Sequence, residues 1–509
     1  MRYGPRMMPE NATPIARRRD SVWSRVPLYP VLFGLATVFV AQAEIGISLA
    51  AVARAAIATS ALALGVILVA WLIARDIAVA GVVAGAVMIL ARSGNATQAL
   101  TGLLLAALCL ALIAWTGRRS NRPWRARATK TLNGVAAALF AVGFGGSALA
   151  EVSSIASVPP SLTPESAADV PPDMVVLMLD AYPRADSLER TLGFSNADFL
   201  SALEERDLVV SDDARSNFMY TAPSLVSLFD LGQMGAVGRS IRSERHALRP
   251  SDLINRSRAL DVLRASGYTT YTSVARWERE SLRVADHLCG TGPMNEFEVH
   301  LIRSSLFGRL LDMVVPDWMA QRDRHIVNEE FACAASAAAA ESADPKFVFA
   351  HIGTPHLPII FERDGRPAAR DVYLDPLEVP STLRREVDGA YIRQLEHVNR
   401  KTLEVLDAVL RHSNPSAVVV VMADHGSWLR LGTHYDANSD LRERFGILFA
   451  ARTPGHSELF PEDVTIGQVL PILFNAYLGT DIEVPRSRYF FSRTEDIFTV
   501  SEIPDPFEE

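Results

Sequence analysis

Ala417-Val418-Val419-Val420-Val421-Met422-Ala423-Asp424-His425-Gly426 is an unbroken β-branched run that stops on an acid, an imidazole and a glycine. A run this apolar over its whole length reads as a parallel strand covered on both faces, since a half-exposed strand would alternate. The C-terminal end of such a strand is where an open α/β sheet holds its ligands. Asp424 beside His425 places a hard oxygen and an imidazole nitrogen together at that end, a pairing suited to a divalent metal. Asp-His-Gly alone also occurs at ordinary strand-to-loop turns. The reading therefore depends on what the rest of the chain brings to the same edge.

Upstream, Met174 to Leu179 is a second apolar strand that ends on Asp180, and Pro183 prevents its continuation. Further strands are expected at Leu208 to Ser211, Thr269 to Val274, Lys346 to Ile352 and Phe445 to Ala450. Asp186 to Leu192 and Asn196 to Arg206 read as helices broken at Gly193, and Ala334 to Ala340 as an Ala-rich helical segment. Glu386 to Arg411 carries Ile392, Leu395, Val398, Leu403, Leu406 and Leu410 near helical spacing. Strands alternating with helices over this length predict one α/β domain.

Residues 1–150 have a different character. Val26 to Ala43, Ala55 to Ala74, Ile77 to Ala91, Ala99 to Trp115 and Leu132 to Ala150 are apolar. Most run to about 17–20 residues, enough for a helix to cross a hydrocarbon core of roughly 30 Å. The alternative, a buried soluble core, rarely repeats such uninterrupted runs. Arg17, Arg18, Arg19 and Arg25 precede the first stretch, and Arg118, Arg119, Arg122, Arg125, Arg127 and Lys130 lie between the fourth and fifth. The positive-inside rule puts both clusters in the cytoplasm and everything after Ala150 outside. No convincing cleavage site follows the first stretch, so a cleaved signal peptide is not expected. Residues 151–172, with Val158 to Pro172 rich in Pro, Ser and acids, read as a linker to a domain over 173–509. The net charge of -8, with basic clusters confined between apolar spans, excludes nucleic acid as a partner. Cys289 and Cys333 fall in the outer domain and either pair or remain buried thiols, a choice the sequence leaves open.

Three further segments carry candidate chemistry: Asn217-Phe218-Met219-Tyr220-Thr221-Ala222-Pro223-Ser224-Leu225, His351-Ile352-Gly353-Thr354-Pro355-His356-Leu357-Pro358, and His434 beyond Asp424-His425-Gly426. With Leu179-Asp180-Ala181-Tyr182-Pro183-Arg184, their order resembles the alkaline phosphatase/sulfatase superfamily, most closely its membrane-anchored branch. That branch includes lipoteichoic acid synthases and lipid A phosphoethanolamine transferases. The resemblance covers Asp173 to about Ser492, and the layout of membrane helices followed by a domain matches as well. It implies an N-terminal α-helical membrane domain and a sulfatase-like central sheet with helices on both faces.

The same resemblance implies one divalent ion, zinc, manganese or magnesium, held by Asp180, Thr221, Asp424 and His425. Thr221 would be the nucleophile, and His356 would contact the substrate phosphate and protonate a leaving group. Asn217 and His434 join His356 as expected substrate contacts. Arg184 could orient phosphate oxygens or be structural. His351 reads as a structural strand residue, and Thr221 has a competing reading as a helix N-cap. Sulfatases build formylglycine from Cys or Ser in Cys/Ser-x-Pro-x-Arg; here Thr221 takes the first place and Leu225 replaces the Arg, which disfavours that chemistry. The expected activity is transfer of a phosphoglycerol- or phosphoethanolamine-type head group from a phospholipid to an envelope glycan or lipid, in a bacterial inner membrane. A phosphodiesterase or sulfatase-like hydrolase, or a non-catalytic envelope scaffold, are the alternatives.

Overall fold

The computed structural model describes residues 22–45, 47–92, 107, 123–156, 171–232, 250–274, 280–290, 292, 294–369, 384–431, 436, 439–494 and 496–508. The chain divides into two compact units. One comprises residues 1–41, 53–145 and 304–306; the other comprises 42–52, 146–303 and 307–509.

In the first unit the apolar stretches form helices. They are α1 (Tyr29–Ile45), α2 (Ala53–Ala74), α3 (Ile77–Arg92) and α4 (Pro123–Ala156). The fourth expected stretch, Ala99 to Trp115, lies almost wholly outside the described residues. Leu49–Ala74 and Arg125–Leu149 are long and apolar enough to cross a membrane, whereas Tyr29–Ala43 and Ile77–Arg92 are shorter apolar helices. Two polar groups in this unit illustrate how its helix ends are tied together. Asn133 on α4 accepts from the amides of Leu28 and Tyr29 at 2.9 and 2.8 Å, and donates to the carbonyls of Trp23 and Val26. In the turn between α2 and α3, Asp76 accepts the Ala78 amide and pairs with Arg125 at 2.7 Å.

The α/β unit has a seven-stranded sheet: β1 (Met174–Leu179), β2 (Val209–Val210), β3 (Thr269–Ser273), β4 (His287–Cys289), β5 (Lys346–Ile352), β6 (Val418–Met422) and β7 (Phe449–Arg452). The strand order is β2-β7-β6-β1-β5-β3-β4. β1 pairs in parallel with β5 and β6, β3 pairs in parallel with β5 and β4, and β7 runs antiparallel to β6 and β2. Every residue of β1, β5 and β6 is buried. Because side chains alternate along a strand, the centre of the sheet is covered on both faces. Each fully buried Val, Leu, Ile or Phe there contributes roughly 1.5–3 kcal/mol over an exposed one.

Around the sheet lie α5 (Ala185–Leu192), α6 (Ala197–Glu204), α7 (Thr221–Phe229), α8 (Glu296–Arg303), α9 (Leu306–Val314), α10 (Trp318–Ala339), α11 (Arg384–His412), α12 (Arg442–Phe445) and α13 (Ile466–Leu478). Gly193 closes α5 in the left-handed region at φ 62°, the break expected there. The Ala-rich segment is the C-terminal part of α10, which packs on β3, β5 and α11. The expected strand at Phe445 to Ala450 is displaced. Its first residue ends the turn α12, Gly446 and Ile447 make only isolated bridges to Arg215 and Pro183, and the β7 ladder begins at Phe449. A hairpin of β8 (Tyr489–Arg493) and β9 (Asp496–Ile503) forms a second sheet. Cys289, at the end of β4, is joined to Cys333 on α10, with Cα atoms 5.7 Å apart and a sequence separation of 44.

Candidate active site

The sheet order explains how distant residues meet. β1 lies between β5 and β6, so the ends of three neighbouring parallel strands present Asp180, His351 and Asp424 along one edge. All three are buried, and one ligand atom from each lies within 4.8 Å of the others. Asp424 is held by its first carboxylate oxygen, which accepts the amides of Ala181 and His425, both at 2.9 Å. Its second oxygen is buried and accepts no hydrogen bond. A buried carboxylate oxygen left this way costs free energy unless a cation or donor meets it. Two acids and neighbouring imidazoles are a donor set for a divalent metal, and these residues fit one.

His425 completes the group. Its Nε2 lies 3.3 Å from Asp424, 3.8 Å from Asp180 and 3.1 Å from the Thr221 hydroxyl. Its Nδ1 is 3.0 Å from the Gly426 carbonyl, which can only accept; the ring proton therefore sits on Nδ1 and leaves Nε2 bare. Burial, then the nearby Arg444 guanidinium and His351, hold the His425 imidazole well below its usual pKa and keep it neutral. Arg444 is itself fully buried, donates to the Gly426 carbonyl and stacks 3.7 Å from the Trp428 ring. Glycine is required at 426: a Cβ there would stand 2.0 Å from the Glu443 carbonyl. Ala181, next to Asp180, takes a left-handed conformation at φ 59°, uncommon for a non-glycine residue. Tyr391 donates to its carbonyl at 3.3 Å.

Thr221 is the first residue of α7, a helix whose every side chain is buried. The N-cap reading does not hold, because the capping position belongs to Tyr220 and the threonine hydroxyl faces His425. The first amides of a helix have no partner within it, so the start of α7 also faces an anion favourably. His356 is half-buried; its amide donates to the Asp180 carbonyl at 3.0 Å, and its ring centroid lies 6.2 Å from that of His425. It lines a small pocket with Tyr391, Ser427 and Trp428.

Other expected residues are placed differently. Both halves of the Asn217 amide are engaged by backbone: Oδ1 accepts from Gly467 at 2.8 Å and Nδ2 donates to Arg488 at 2.9 Å. That side chain ties the start of α13 to the approach to β8. Arg184 is paired with Asp186 and Asp213, both at 2.7 Å, and lies over the Phe507 ring. His434 lies outside the described residues. His351, read from sequence as structural, stands in the acid cluster, 3.7 Å from Asp180. The available signal was its place at the end of a strand, but only the pairing of β5 with β1 shows which acid it meets.

No family model and no curated relative matches the chain. Similar solved structures include the C-terminal periplasmic domain of EptC from Escherichia coli in complex with Zn, 12% identical, covering 69% of this chain and 95% of that one, with a TM-score of 0.43. Another is the integral membrane lipooligosaccharide phosphoethanolamine transferase A (EptA) from Neisseria meningitidis, 13% identical, covering 80% and 74%, TM-score 0.35. A 2-O GAG sulfatase is 16% identical over 65% and 74%, with a TM-score of 0.40.

Proposed function

We propose that this chain is a membrane-bound, metal-dependent phosphotransferase of the alkaline phosphatase/sulfatase superfamily. It passes a phospho-head group of phosphoglycerol or phosphoethanolamine type from a phospholipid to an envelope glycan or lipid, by way of an ester on Thr221. One observation carries the reading: a helix-terminal threonine hydroxyl stands 3.1 Å from a neutral imidazole that itself lies among two buried carboxylates. A packed core has no need of that concentration of acids and imidazoles, and a non-catalytic scaffold gives no account of it.

Asp180, His351, Asp424 and His425 would hold a divalent ion, whether zinc, manganese or magnesium, which would supply the positive charge that lowers the pKa of the Thr221 hydroxyl. Thr221 Oγ1, as the alkoxide left once its proton has gone to solvent, forms the new bond to phosphorus as the bond from phosphorus to the glyceride oxygen breaks, and the same alkoxide is regenerated in the second half. His356, on the open side of the site, gives its proton to that departing oxygen. The leading amides of α7 face the phosphoryl oxygens as charge builds on them. In the second half His356 takes a proton from the acceptor hydroxyl, which attacks phosphorus and frees Thr221. Asp424 serves by orientation, since two backbone amides fix one oxygen and aim the other inward.

The membrane placement has its own support. Arg125, from the second basic cluster, pairs with Asp76 in the turn after α2, and Asn133 near the start of α4 holds the start of α1. The basic residues thus mark one end of the helical unit, the cytoplasmic end by the positive-inside rule. The loop 42–52, at the other end of α1, groups with the α/β unit. Residues 173–509 then form the outer catalytic domain of a multi-pass inner-membrane protein.

The test is mass spectrometry of the chain after incubation with membrane phospholipid. The expected result is a head-group phosphate on Thr221, absent from Thr221→Ala, which also loses turnover while Thr221→Ser retains some. Full turnover in Thr221→Ala would end the covalent mechanism. Turnover independent of any acceptor but water would make the enzyme a hydrolase.

A further inference from the structure

Helix α9, Leu306-Phe307-Gly308-Arg309-Leu310-Leu311-Asp312-Met313-Val314, turns its apolar side outward. Phe307 is 58% exposed, Leu310 51%, Met313 79% and Val314 78%. At about 100° per residue these four positions share an arc of roughly 120°, a continuous apolar stripe. The other side of the helix is what anchors it. Gly308 is buried so close to the preceding segment that a Cβ would meet the Ile302 carbonyl at 2.2 Å. Asp312 accepts the Trp318 indole proton at 2.6 Å. The outward apolar face is therefore fixed by backbone approach and a side-chain bond, and four large side chains there lack the cover that soluble surfaces give them.

We propose that this face lies in the lipid surface: α9 rests in the plane of the outer bilayer interface, with Phe307, Leu310, Met313 and Val314 among the acyl chains. The proposal rests on the membrane reading given above. Two observations choose lipid over a second protein. Asn295, at the entry to α8, donates to the Ala51 carbonyl at 2.7 Å, and Ala51 is only two residues from the first residue of the apolar helix α2. Chain connectivity thus holds the segment leading into α9 level with the end of that span. The second is charge: the exposed Arg303 precedes the helix, where anionic head groups would meet it.

The experiment places a nitroxide on Met313→Cys in the full chain, in a Cys109→Ala background with Cys289 and Cys333 joined, reconstituted in phosphatidylglycerol/phosphatidylcholine vesicles. Collision with oxygen, enriched in lipid, is compared with collision with a water-soluble nickel chelate. Leu68→Cys on the outward side of α2 serves as the lipid reference and Ser201→Cys on exposed α6 as the water reference. The expected outcome is oxygen-rich, nickel-poor relaxation at 313, matching 68 and opposite to 201. Lipid behaviour at 68 with water behaviour at 313 would overturn the interfacial helix and leave the membrane reading standing. Water behaviour at 68 would overturn the membrane reading itself. Protection from both reagents at 313, with spin–spin broadening that fades on dilution with unlabelled chain, would identify a second copy as the cover and refute the proposal.

Discussion

Gly426→Ala should damage fold and metal site together. The added methyl would stand 2.0 Å from the Glu443 carbonyl and 2.9 Å from that of Gly446, so backbone must retreat by more than 1 Å. Neither side can yield cheaply. The Gly426 amide donates to the Arg444 carbonyl at 2.8 Å, and the Arg444 guanidinium donates to the Gly426 carbonyl. Overpacking of this kind costs about 1–3 kcal/mol. Losing a hydrogen bond from a buried charge adds about 1.5–3 kcal/mol. The combined expectation is about 3–5 kcal/mol, a fall in Tm on the order of 5–10 °C for a unit of this size. Because Asp424 and His425 sit on the displaced segment, bound divalent metal should fall in step. Thermal melts of the solubilised chain with and without added zinc, and metal analysis of the purified variant, provide the readouts. A variant with wild-type Tm and metal content would refute the claim that this close approach sets the geometry of the site.

Asp424→Asn keeps the shape that accepts the Ala181 and His425 amides but removes the charge on the inward oxygen; most bound metal should be lost by elemental analysis while circular dichroism stays near wild type. Reducing the Cys289–Cys333 link, or Cys289→Ser, releases a loop whose ends have a sequence separation of 44, worth about 4 kcal/mol on the chain-entropy account; unchanged resistance to denaturant would contradict it. His397 is buried against Phe361, its Nδ1 is 2.7 Å from Arg400, and burial followed by the Arg400 and Lys401 charges pushes its pKa down to about 4. A depressed histidine pKa means the fold favours the neutral ring. Its contribution is complete above pH 6.5 and is lost as the pH falls toward 4. His397→Gln should therefore show a shallower loss of stability over that window in pH-dependent melts.

The sequence was most legible where burial was total. Met174 to Leu179 and Lys346 to Ile352 appear as strands with the expected ends, and Ala417 to Ala423 differs by one residue at each end. Continuous apolar runs leave little freedom in where such strands sit. Phe445 to Ala450 misled because hydrophobicity there serves two elements. Phe445 closes a turn that folds back on Gly426, and the ladder with β6 starts only at Phe449. β4 has three residues, β8 is five residues that open with three consecutive aromatics, and β9 mixes apolar and polar residues without strict alternation, so none stands out. At the candidate site, Asp180, Asp424 and His425 stand out because each follows the end of an apolar strand, whereas Thr221 is reached only through the family resemblance of its segment. His351 escaped because its significance comes from pairing: it lies opposite Met178, two residues before Asp180. The Asn217 amide is occupied by a glycine amide 250 residues away, a partner that local sequence cannot announce.

The loop after β6 shows why fold and chemistry are inseparable here. Two carboxylates at the centre of an α/β sheet oppose folding unless cationic charge and hydrogen bonds meet them. The protein supplies backbone amides to one oxygen of Asp424 and leaves the other unbonded. It also buries Arg444 beside the loop, stacked on Trp428 and bonded to the Gly426 carbonyl. That guanidinium does not neutralise the acids directly. It helps keep His425 neutral, and so preserves Nε2 as a bare nitrogen facing Thr221. A protonated His425 would satisfy the carboxylates electrostatically but would lose its capacity as a ligand and repel a divalent ion. The arrangement gives up local charge balance and retains a donor set that a divalent cation can complete. The threonine is then positioned against that set by the rigid, fully buried helix it begins.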